Sequence, residues 1–207
     1  MPTTFILVRH GQTEWNRVER FRGRADVPLN ATGLAQAAAT GRRVAGQWRP
    51  DEVYASPLSR AMVTAEAIAA PAGLPVLRLP GLVDIDYGDW QGLTPDEARA
   101  AWPDLVHAWY TAPETVQIPH GESLARLRER AMAAIHALAD DHAGQTIVLV
   151  SHTVVNRVML LAILGLSNDR FWRVRQDNCA LNVFEAERGE FTLVSLNDTC
   201  HLRQTPA

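Results

Sequence analysis

Residues 5–16 constrain the fold of this chain most, because an apolar run within them ends abruptly in three residues of different chemistry. The run Phe5-Ile6-Leu7-Val8 is typical of a buried strand, since it is short, rich in β-branched and aromatic residues, and soon followed by glycine. Arg9 then supplies a permanent cation, His10 a possible nucleophile and Gly11 an unusual backbone freedom. Ligands of open α/β sheets bind beyond the carboxyl ends of the strands. We therefore expect Arg9 and His10 at a functional site.

Predicted helices and strands alternate along the rest of the chain. Helices are predicted over residues 34–48, 57–70, 95–101, 122–142 and 154–164, and strands over 51–55, 146–150, 179–186 and 190–196. Residues 14–30 are predicted to be loop or irregular turns, 74–83 extended with a break at Pro80-Gly81, and the tail from 198 loosely ordered. This alternation favours a three-layer α/β/α sandwich with a mostly parallel central sheet, and the final hairpin adds an antiparallel edge.

One domain is expected for all 207 residues, because the chain has neither an internal repeat nor a low-complexity linker. Residues 93–121 are the least regular insertion and the candidate cap or lid beside the site. The net charge of −3 does not indicate a nucleic-acid or membrane-surface binder. Two cysteines outside any metal-ligand spacing predict neither a disulfide framework nor structural zinc. Without a signal-peptide pattern or an apolar run long enough to span a membrane, a cytoplasmic protein is expected.

Three predicted strand ends carry polar residues that suit one chemistry. Arg9 and His10 follow the first strand, Ser56 to Arg60 the second, and Ser151 and His152 the strand over 146–150, while the loop from Asp84 adds carboxylates. Guanidinium groups bind phosphate oxygens in a bidentate manner and stay charged at any working pH. Helix N-termini after Pro57 and His152 would add amide donors. Convergence of these ends predicts a pocket for a phosphate dianion.

The segments LVRHGQTEWN, SPLSRAMVTAE, DIDYGDWQG, PHGES and VLVSHTVVNR resemble the histidine phosphatase superfamily, whose fold is phosphoglycerate mutase-like. The resemblance implies that His10 is the nucleophile that becomes phosphorylated, and that Arg9, Arg60 and His152 hold the transferring phosphoryl group. Asn16 and Gly23 match positions that line the phosphate, and Thr153 is a further candidate. Asp84 stands where the family uses a glutamate to protonate the leaving oxygen, and it is one methylene shorter.

The resemblance implies a metal-independent phosphatase for a small soluble phosphomonoester, with no cofactor. One alternative is a phosphoglycerate mutase that depends on 2,3-bisphosphoglycerate. A more specific interpretation within the phosphatases is an α-ribazole phosphatase. Metal-dependent hydrolysis with His10, His152 and Asp84 as ligands is disfavoured, because the arginines would repel a divalent cation. A non-catalytic phosphate-binding module is the remaining class.

Several choices stay open at this stage. Asp86 competes with Asp84 as the acid, since both point to one face of an extended segment. Arg22, Arg24, His120 and residues 93–121 are candidates for specificity, and the two arginines suggest a second anionic group on the substrate. The expected partner is a small phosphorylated metabolite rather than nucleic acid or a membrane, and a homodimer through a sheet edge is possible.

Overall fold

The computed structural model describes residues 1–203 of the 207-residue chain. The strands within this range are β1 (Thr3–Arg9), β2 (Glu52–Ala55), β3 (Val76–Arg78), β4 (Thr146–Ser151), β5 (Leu181–Glu187) and β6 (Glu190–Asp198). The helices are α1 (Glu14–Arg17), α2 (Ala31–Gln47), α3 (Ser59–Ala69), α4 (Pro95–Ala101), α5 (Pro103–Thr111), α6 (Leu124–Asp141) and α7 (Thr153–Ile163). None of the helices described is long and apolar enough to cross a membrane.

The strands form one sheet in the order β3-β2-β4-β1-β5-β6. β1 to β4 are parallel to one another, β5 runs antiparallel to β1, and β6 runs antiparallel to β5. The predicted mostly parallel sheet with an antiparallel edge is therefore confirmed. β1 lies between β4 and β5, so its carboxyl end sits near the middle of one rim of the sheet.

Both faces of the sheet are covered, which completes the three-layer sandwich. Phe5 and Leu7 of β1 face a core built with α5, α6 and α7, and Phe5 stacks on Phe184 of β5 with ring centroids 4.9 Å apart. Ile6 and Val8 face the opposite core with α2 and α3. Alternate residues of a strand point to opposite faces, so a run that is apolar throughout requires a sheet buried on both sides.

Three local predictions are wrong. Residues 14–30 were expected to be loop, yet α1 forms there because Thr13 and Asn16 make a reciprocal capping box. Ser56 directly before Pro57 predicts the cap of this helix, but the capping position of α3 is Leu58, which makes no side-chain bond. Residues 74–83 agree with the sequence, because β3 is followed by a short 3-10 turn at Pro80–Leu82, where the break was predicted. The tail is ordered through a 3-10 turn at Cys200–Leu202, and residues 204–207 lie outside the described range.

A glycine is needed at position 11 because a side chain there would clash with its neighbours, and not because the backbone adopts an unusual angle. The φ of Gly11 is not positive, contrary to the freedom expected from the sequence. A Cβ at this position would lie 2.5 Å from the carbonyl oxygen of Gly33 in the first turn of α2. The segment after β1 therefore packs directly on the start of α2, which fixes the path of the chain just beyond His10.

Candidate active site

The carboxyl ends of β1, β2 and β4 meet at one rim, because these strands are neighbours and parallel. The N–H of His10 donates to the carbonyl of Ser151 at 2.9 Å, and the N–H of Ser56 donates to the carbonyl of Val150 at 2.9 Å. These bonds tie the residues that follow each strand to the adjacent strand. As a result the rings of His10 and His152 lie with centroids 5.1 Å apart, although 142 positions separate them in sequence.

His10 is buried and held in one tautomer. Its Nδ1 lies 2.6 Å from the carbonyl oxygen of Gly11. A carbonyl can only accept, so Nδ1 carries the hydrogen and Nε2 keeps its lone pair. Burial first, and then the charges of Arg60 and Arg9, hold the pKa of His10 well below its usual value. His10 is therefore a neutral imidazole at neutral pH, which is the form that a nucleophile needs.

Arg60 is buried in the first turn of α3 and held by two backbone carbonyls. Its Nη1 donates to Ala25 at 2.7 Å and its Nη2 to Gly23 at 2.7 Å. Gly23 has a φ of +49°, and a Cβ there would come within 2.9 Å of the carbonyl of Ile85. Gly23 thus acts through its carbonyl, which positions Arg60.

Arg9 is anchored from the carboxyl-terminal part of the chain. Its Nη1 donates to the carbonyl of Gln176 at 2.6 Å, and its own carbonyl accepts from Cys179 N–H at 3.0 Å. The side chain of Asn178 donates to the carbonyl of His10 at 3.0 Å. Burial, aided by neighbouring arginines, lowers the pKa of Arg9 to about 9, so the guanidinium is still charged at neutral pH.

Asp84 lies within the same group despite its short side chain. It is 4% exposed, its Oδ1 accepts from the N–H of Ile85 at 2.9 Å, and its Oδ2 lies 3.3 Å from Arg60 Nη2. The same oxygen is 3.7 Å from His152 Nδ1, while His152 Nε2 lies 2.7 Å from Ser56 Oγ. Burial raises the pKa of Asp84 although Arg60 opposes the shift. This direction favours a carboxyl group that can carry a proton.

Asp86, the competing acid, is engaged away from these residues. Its Oδ1 accepts from the N–H of Gly88 at 2.9 Å, and its Oδ2 lies 3.0 Å from Arg24 Nη1. The pair formed by Asp86 and Arg24 is partly exposed. This geometry favours Asp84 over Asp86 as the acid.

Arg130 of α6 holds the loop that carries Asp84. Its Nη2 donates to the carbonyl of Asp84 at 3.1 Å and its Nη1 to the carbonyl of Gly81 at 2.8 Å. Both carboxylate oxygens of Glu122, in the PHGES segment, accept hydrogen bonds from the same guanidinium, at 2.7 and 3.0 Å. Glu122 precedes α6, which Ser123 caps, so its carboxylate orients Arg130 rather than stabilising the helix start.

Buried polar atoms without a partner within residues 1–203 concentrate at this rim. Five of these atoms lie there: Arg9 Nε, Arg22 Nε, Arg60 Nε, His152 Nδ1 and Thr153 Oγ1. Buried polar groups without hydrogen bonds are costly and rare in folded proteins. Phosphoryl oxygens would accept from the Nε–H groups of Arg9 and Arg60 and from the Thr153 hydroxyl. The group fits the phosphate-binding role predicted for Arg9, Arg60, His152 and Thr153.

A model of the histidine phosphatase superfamily (branch 1) matches residues 5–199, nearly the whole chain. The chain belongs to this superfamily. Phosphoserine phosphatase 1 of Hydrogenobacter thermophilus is 36% identical over 197 residues, 95% of this chain and 93% of that protein. A 2,3-bisphosphoglycerate-dependent phosphoglycerate mutase of Brucella anthropi is 37% identical over 177 residues, 82% of this chain and 85% of that protein. The solved structure of Bacillus stearothermophilus YhfR matches with a TM-score of 0.92 and 30% identity, over 97% of this chain and 99% of that one.

These similarities confirm the predicted family and the phosphoglycerate mutase-like fold, and they make this chain an enzyme of the histidine phosphatase type. For this histidine phosphatase we call Arg9, His10, Arg60, Asp84 and His152 the catalytic pocket. Its members come from four separate segments of the chain. The structure brings these five side chains together, and their catalytic roles stay predictions.

A cavity of about 360 Å³ opens beside the catalytic pocket. Arg9, Asn16 and Thr153 line the part nearest the catalytic pocket. We call the remainder of its wall the outer cavity, lined by Glu19, Arg20, Phe21, Arg22, Tyr87, Pro95, Trp109, Tyr110, Val154, Arg157, Phe171 and Trp172. Of the specificity candidates, only Arg22 and part of residues 93–121 lie there. Arg24 binds Asp86 outside it, and the largely exposed His120 contacts Asp89.

Arg157, Phe171 and Trp172 were missed by the sequence analysis. The Arg157 guanidinium lies 5.0 Å from the ring centroid of Phe171 and 4.9 Å from that of Trp172. A usable signal existed for Arg157, because it is the only charged residue of the apolar helix α7 and lies one turn after Thr153. Phe171 and Trp172 occupy a 3-10 segment whose position no periodicity in the sequence indicates.

No group of three or more histidine, cysteine, aspartate or glutamate side chains within residues 1–203 is arranged to hold a metal ion. His10, His152 and Asp84 are close to one another, but Arg60 lies 3.3 Å from the Asp84 carboxylate. The set therefore suits an anion better than a divalent cation.

Proposed function

We propose that this protein hydrolyses a small soluble phosphomonoester through a phosphohistidine on His10, with Asp84 as the proton donor and without a metal ion. One observation carries the proposal: a neutral, tautomer-fixed His10 lies among Arg9, Arg60 and His152, whose buried donors need an anionic partner. A histidine nucleophile surrounded by fixed cations suits phosphoryl transfer, which depends on positioning and on charge stabilisation.

The first half-reaction transfers the phosphoryl group to the enzyme. Phosphoryl oxygens accept hydrogen bonds from Arg9, Arg60 and Thr153, and the Nε2 lone pair of His10 attacks phosphorus. The bond from phosphorus to the ester oxygen breaks, and its electron pair stays on that oxygen. Asp84, whose pKa is raised by burial, donates a proton to the leaving oxygen in its acid form. The bound phosphate dianion favours the protonated form further through like-charge repulsion.

The second half-reaction returns the enzyme to its starting state. A water molecule attacks the phosphohistidine, and the Asp84 carboxylate accepts one of its protons. The phosphorus–nitrogen bond breaks, its electron pair returns to Nε2 of His10, and inorganic phosphate leaves. Asp84 is again protonated, so one carboxyl group serves as acid and then as base.

We further propose that no cofactor takes part. Arg9 and Arg60 supply the positive charge that a metal ion would otherwise contribute, and they disfavour binding of a divalent cation. Activity should persist after dialysis against a strong chelator. Activity that falls and returns with added Mg²⁺ or Zn²⁺ would refute this part of the proposal.

Residues 93–121 are proposed to act as a cap on the single domain. α4 and α5 fall in this segment, and Pro95, Trp109 and Tyr110 line the outer cavity. A cytoplasmic location and a homodimer through a sheet edge stay predictions of the sequence.

The deciding experiment measures phosphate release from a panel of phosphorylated metabolites by the purified enzyme. The panel includes 3-phosphoglycerate with 2,3-bisphosphoglycerate, because the Brucella anthropi relative is named a mutase. We expect net phosphate release and a covalent enzyme intermediate that is labile in acid, as phosphohistidine is. Formation of 2-phosphoglycerate without net release would instead support the mutase, with 2,3-bisphosphoglycerate as its cofactor. Preference for α-ribazole phosphate would identify the narrower alternative.

A further inference from the structure

Three successive arginines in the loop after α1 have different surroundings. Arg20 Nη1 lies 3.1 Å from Glu97, and Arg24 Nη1 lies 3.0 Å from Asp86. Arg22, between them, has no carboxylate partner within residues 1–203. Its Nη1 donates only to backbone carbonyls, at 3.2 and 3.4 Å, its Nε is buried and unpartnered, and the residue lines the cavity.

Arg157 is a second cavity arginine without a carboxylate partner among the described residues. Its Nε donates to the carbonyl of Val174 at 2.8 Å, and its guanidinium stacks near Phe171 and Trp172. These contacts hold the planar group in place but leave its positive charge uncompensated. A guanidinium fixed by aromatic rings is preorganised to bind an anion in a bidentate manner.

The positive charge around the cavity exceeds what one phosphate ester requires. Arg9 and Arg60 already serve the phosphate, and Arg60 also contacts Asp84. Among the described residues the cavity wall contains a single acidic one, Glu19, which is exposed. Arg22 and Arg157 both repel Arg9 and lower its pKa. The phosphate group of a monoester offsets only part of the electrostatic repulsion among these arginines, and a further anion would offset the rest.

We propose that Arg22 and Arg157 form a subsite for a second anionic group of the substrate, so that the enzyme prefers phosphomonoesters with a carboxylate or another phosphate. This inference rests on the proposed phosphatase function and narrows its substrate class. The aromatic residues Tyr87, Trp109 and Trp172 line the same space and would pack on the part of the substrate between the two charges.

The test compares kcat/KM within matched substrate pairs. Phosphoserine and phosphoethanolamine differ only in a carboxylate, and propane-1,3-diol bisphosphate and 3-hydroxypropyl phosphate differ only in a second phosphate. The wild-type enzyme should prefer the more anionic member of at least one pair by about 10- to 100-fold, the range expected for charge-assisted hydrogen bonds. The pair that shows the preference identifies the second group.

Substitution then assigns the preference to the subsite. Arg157→Met keeps apolar packing on the two rings, and Arg22→Met removes the loop charge. Each should reduce the preference by about tenfold, while the less anionic member of the pair reports whether the variant is folded. Arg24→Met is the matched control, because it removes an arginine that lies outside the cavity, and its preference should equal that of the wild type.

The outcomes separate this subsite from the proposed function. Phosphate release without preference in either pair, or a preference that survives both substitutions, overturns the subsite and leaves the phosphatase intact. Loss of the preference in either variant supports it, including the case in which only one of the two proteins folds. Absence of phosphate release from every ester, 4-nitrophenyl phosphate included, would overturn the proposed function itself.

Discussion

The catalytic pocket and the outer cavity adjoin each other but are built in different ways. Arg9, His10 and His152 lie at the ends of adjacent parallel strands, and Arg60 is fixed by two carbonyls at 2.7 Å. The outer cavity is lined from α5, α7, the 3-10 segment Asn168–Arg173 and the loop residues 19–22, with further contributions from Tyr87 and Pro95. We therefore expect the catalytic pocket to govern the reaction and the outer cavity to govern the choice among substrates. Substitutions in the catalytic pocket should therefore affect every substrate, whereas substitutions in the outer cavity should affect selected substrates.

His10→Asn should have the largest effect and should affect every substrate equally. Loss of the nucleophile removes the covalent route, so kcat should fall by more than about 10³-fold. The measurement is phosphate release together with trapping of the phosphoenzyme from a radiolabelled ester. His120→Asn, which changes an exposed histidine outside the cavity, is the control and should keep both. A labelled phosphoenzyme in His10→Asn would show that another residue is the nucleophile.

Asp84→Asn should give the next largest effect, and it should depend on the leaving group. A general acid contributes about 10²- to 10⁴-fold, so kcat on an alkyl phosphate should fall within that range. The loss should be much smaller on 4-nitrophenyl phosphate, whose leaving group needs no proton. Asp86→Asn is the matched control, since it removes a carboxylate two residues away that binds Arg24. A larger loss in Asp86→Asn would reverse the assignment of the acid.

The pH dependence of kcat should follow the protonation of Asp84. Because burial raises its pKa, the acid form persists above the usual range of an aspartate, and activity is lost as pH rises through that pKa. The pKa of His10 is lowered, so His10 stays neutral at pH values well below the ordinary pKa of a histidine. The acid limb of the pH profile is therefore shifted to lower pH. An optimum on the acid side is expected, and Asp84→Asn should abolish the alkaline limb. A profile that is flat from mildly acid to alkaline pH would contradict the role of Asp84.

Arg130→Met should have a smaller effect of the same kind as Asp84→Asn. Loss of the bonds to the carbonyls of Asp84 and Gly81 would loosen the loop that carries the acid, and we expect kcat on alkyl phosphates to fall about tenfold, as for one charge-assisted bond. The activity on 4-nitrophenyl phosphate should change less, which a general loss of folding would not produce. Arg126→Met, on the same helix but outside these contacts, is the control. Equal losses on both substrates would assign Arg130 a purely structural role.

The sequence predicted the catalytic pocket better than the outer cavity for a physical reason. Arg9 and Ser151 directly follow apolar runs, and parallel strands bring their carboxyl ends to one rim, so the pattern of strands was enough to expect Arg9, His10 and His152 close together. Arg157 and Trp172 reach the cavity through tertiary packing of α7 and a 3-10 segment, which no local pattern encodes. The role of Glu122 was missed for the same reason, since its partner Arg130 becomes a neighbour only when α6 packs beside the acid loop.

The antiparallel direction of β5 ties the start of the chain to its end. Because β5 runs opposite to β1, the residues that lead into it, from Gln176 to Cys179, arrive at the same rim and bind Arg9 and the carbonyl of His10. During synthesis on the ribosome, the first strand emerges some 170 residues before these partners exist. Phosphatase competence should thus appear late, once the last fifth of the polypeptide has been translated, and a truncated nascent product should lack it.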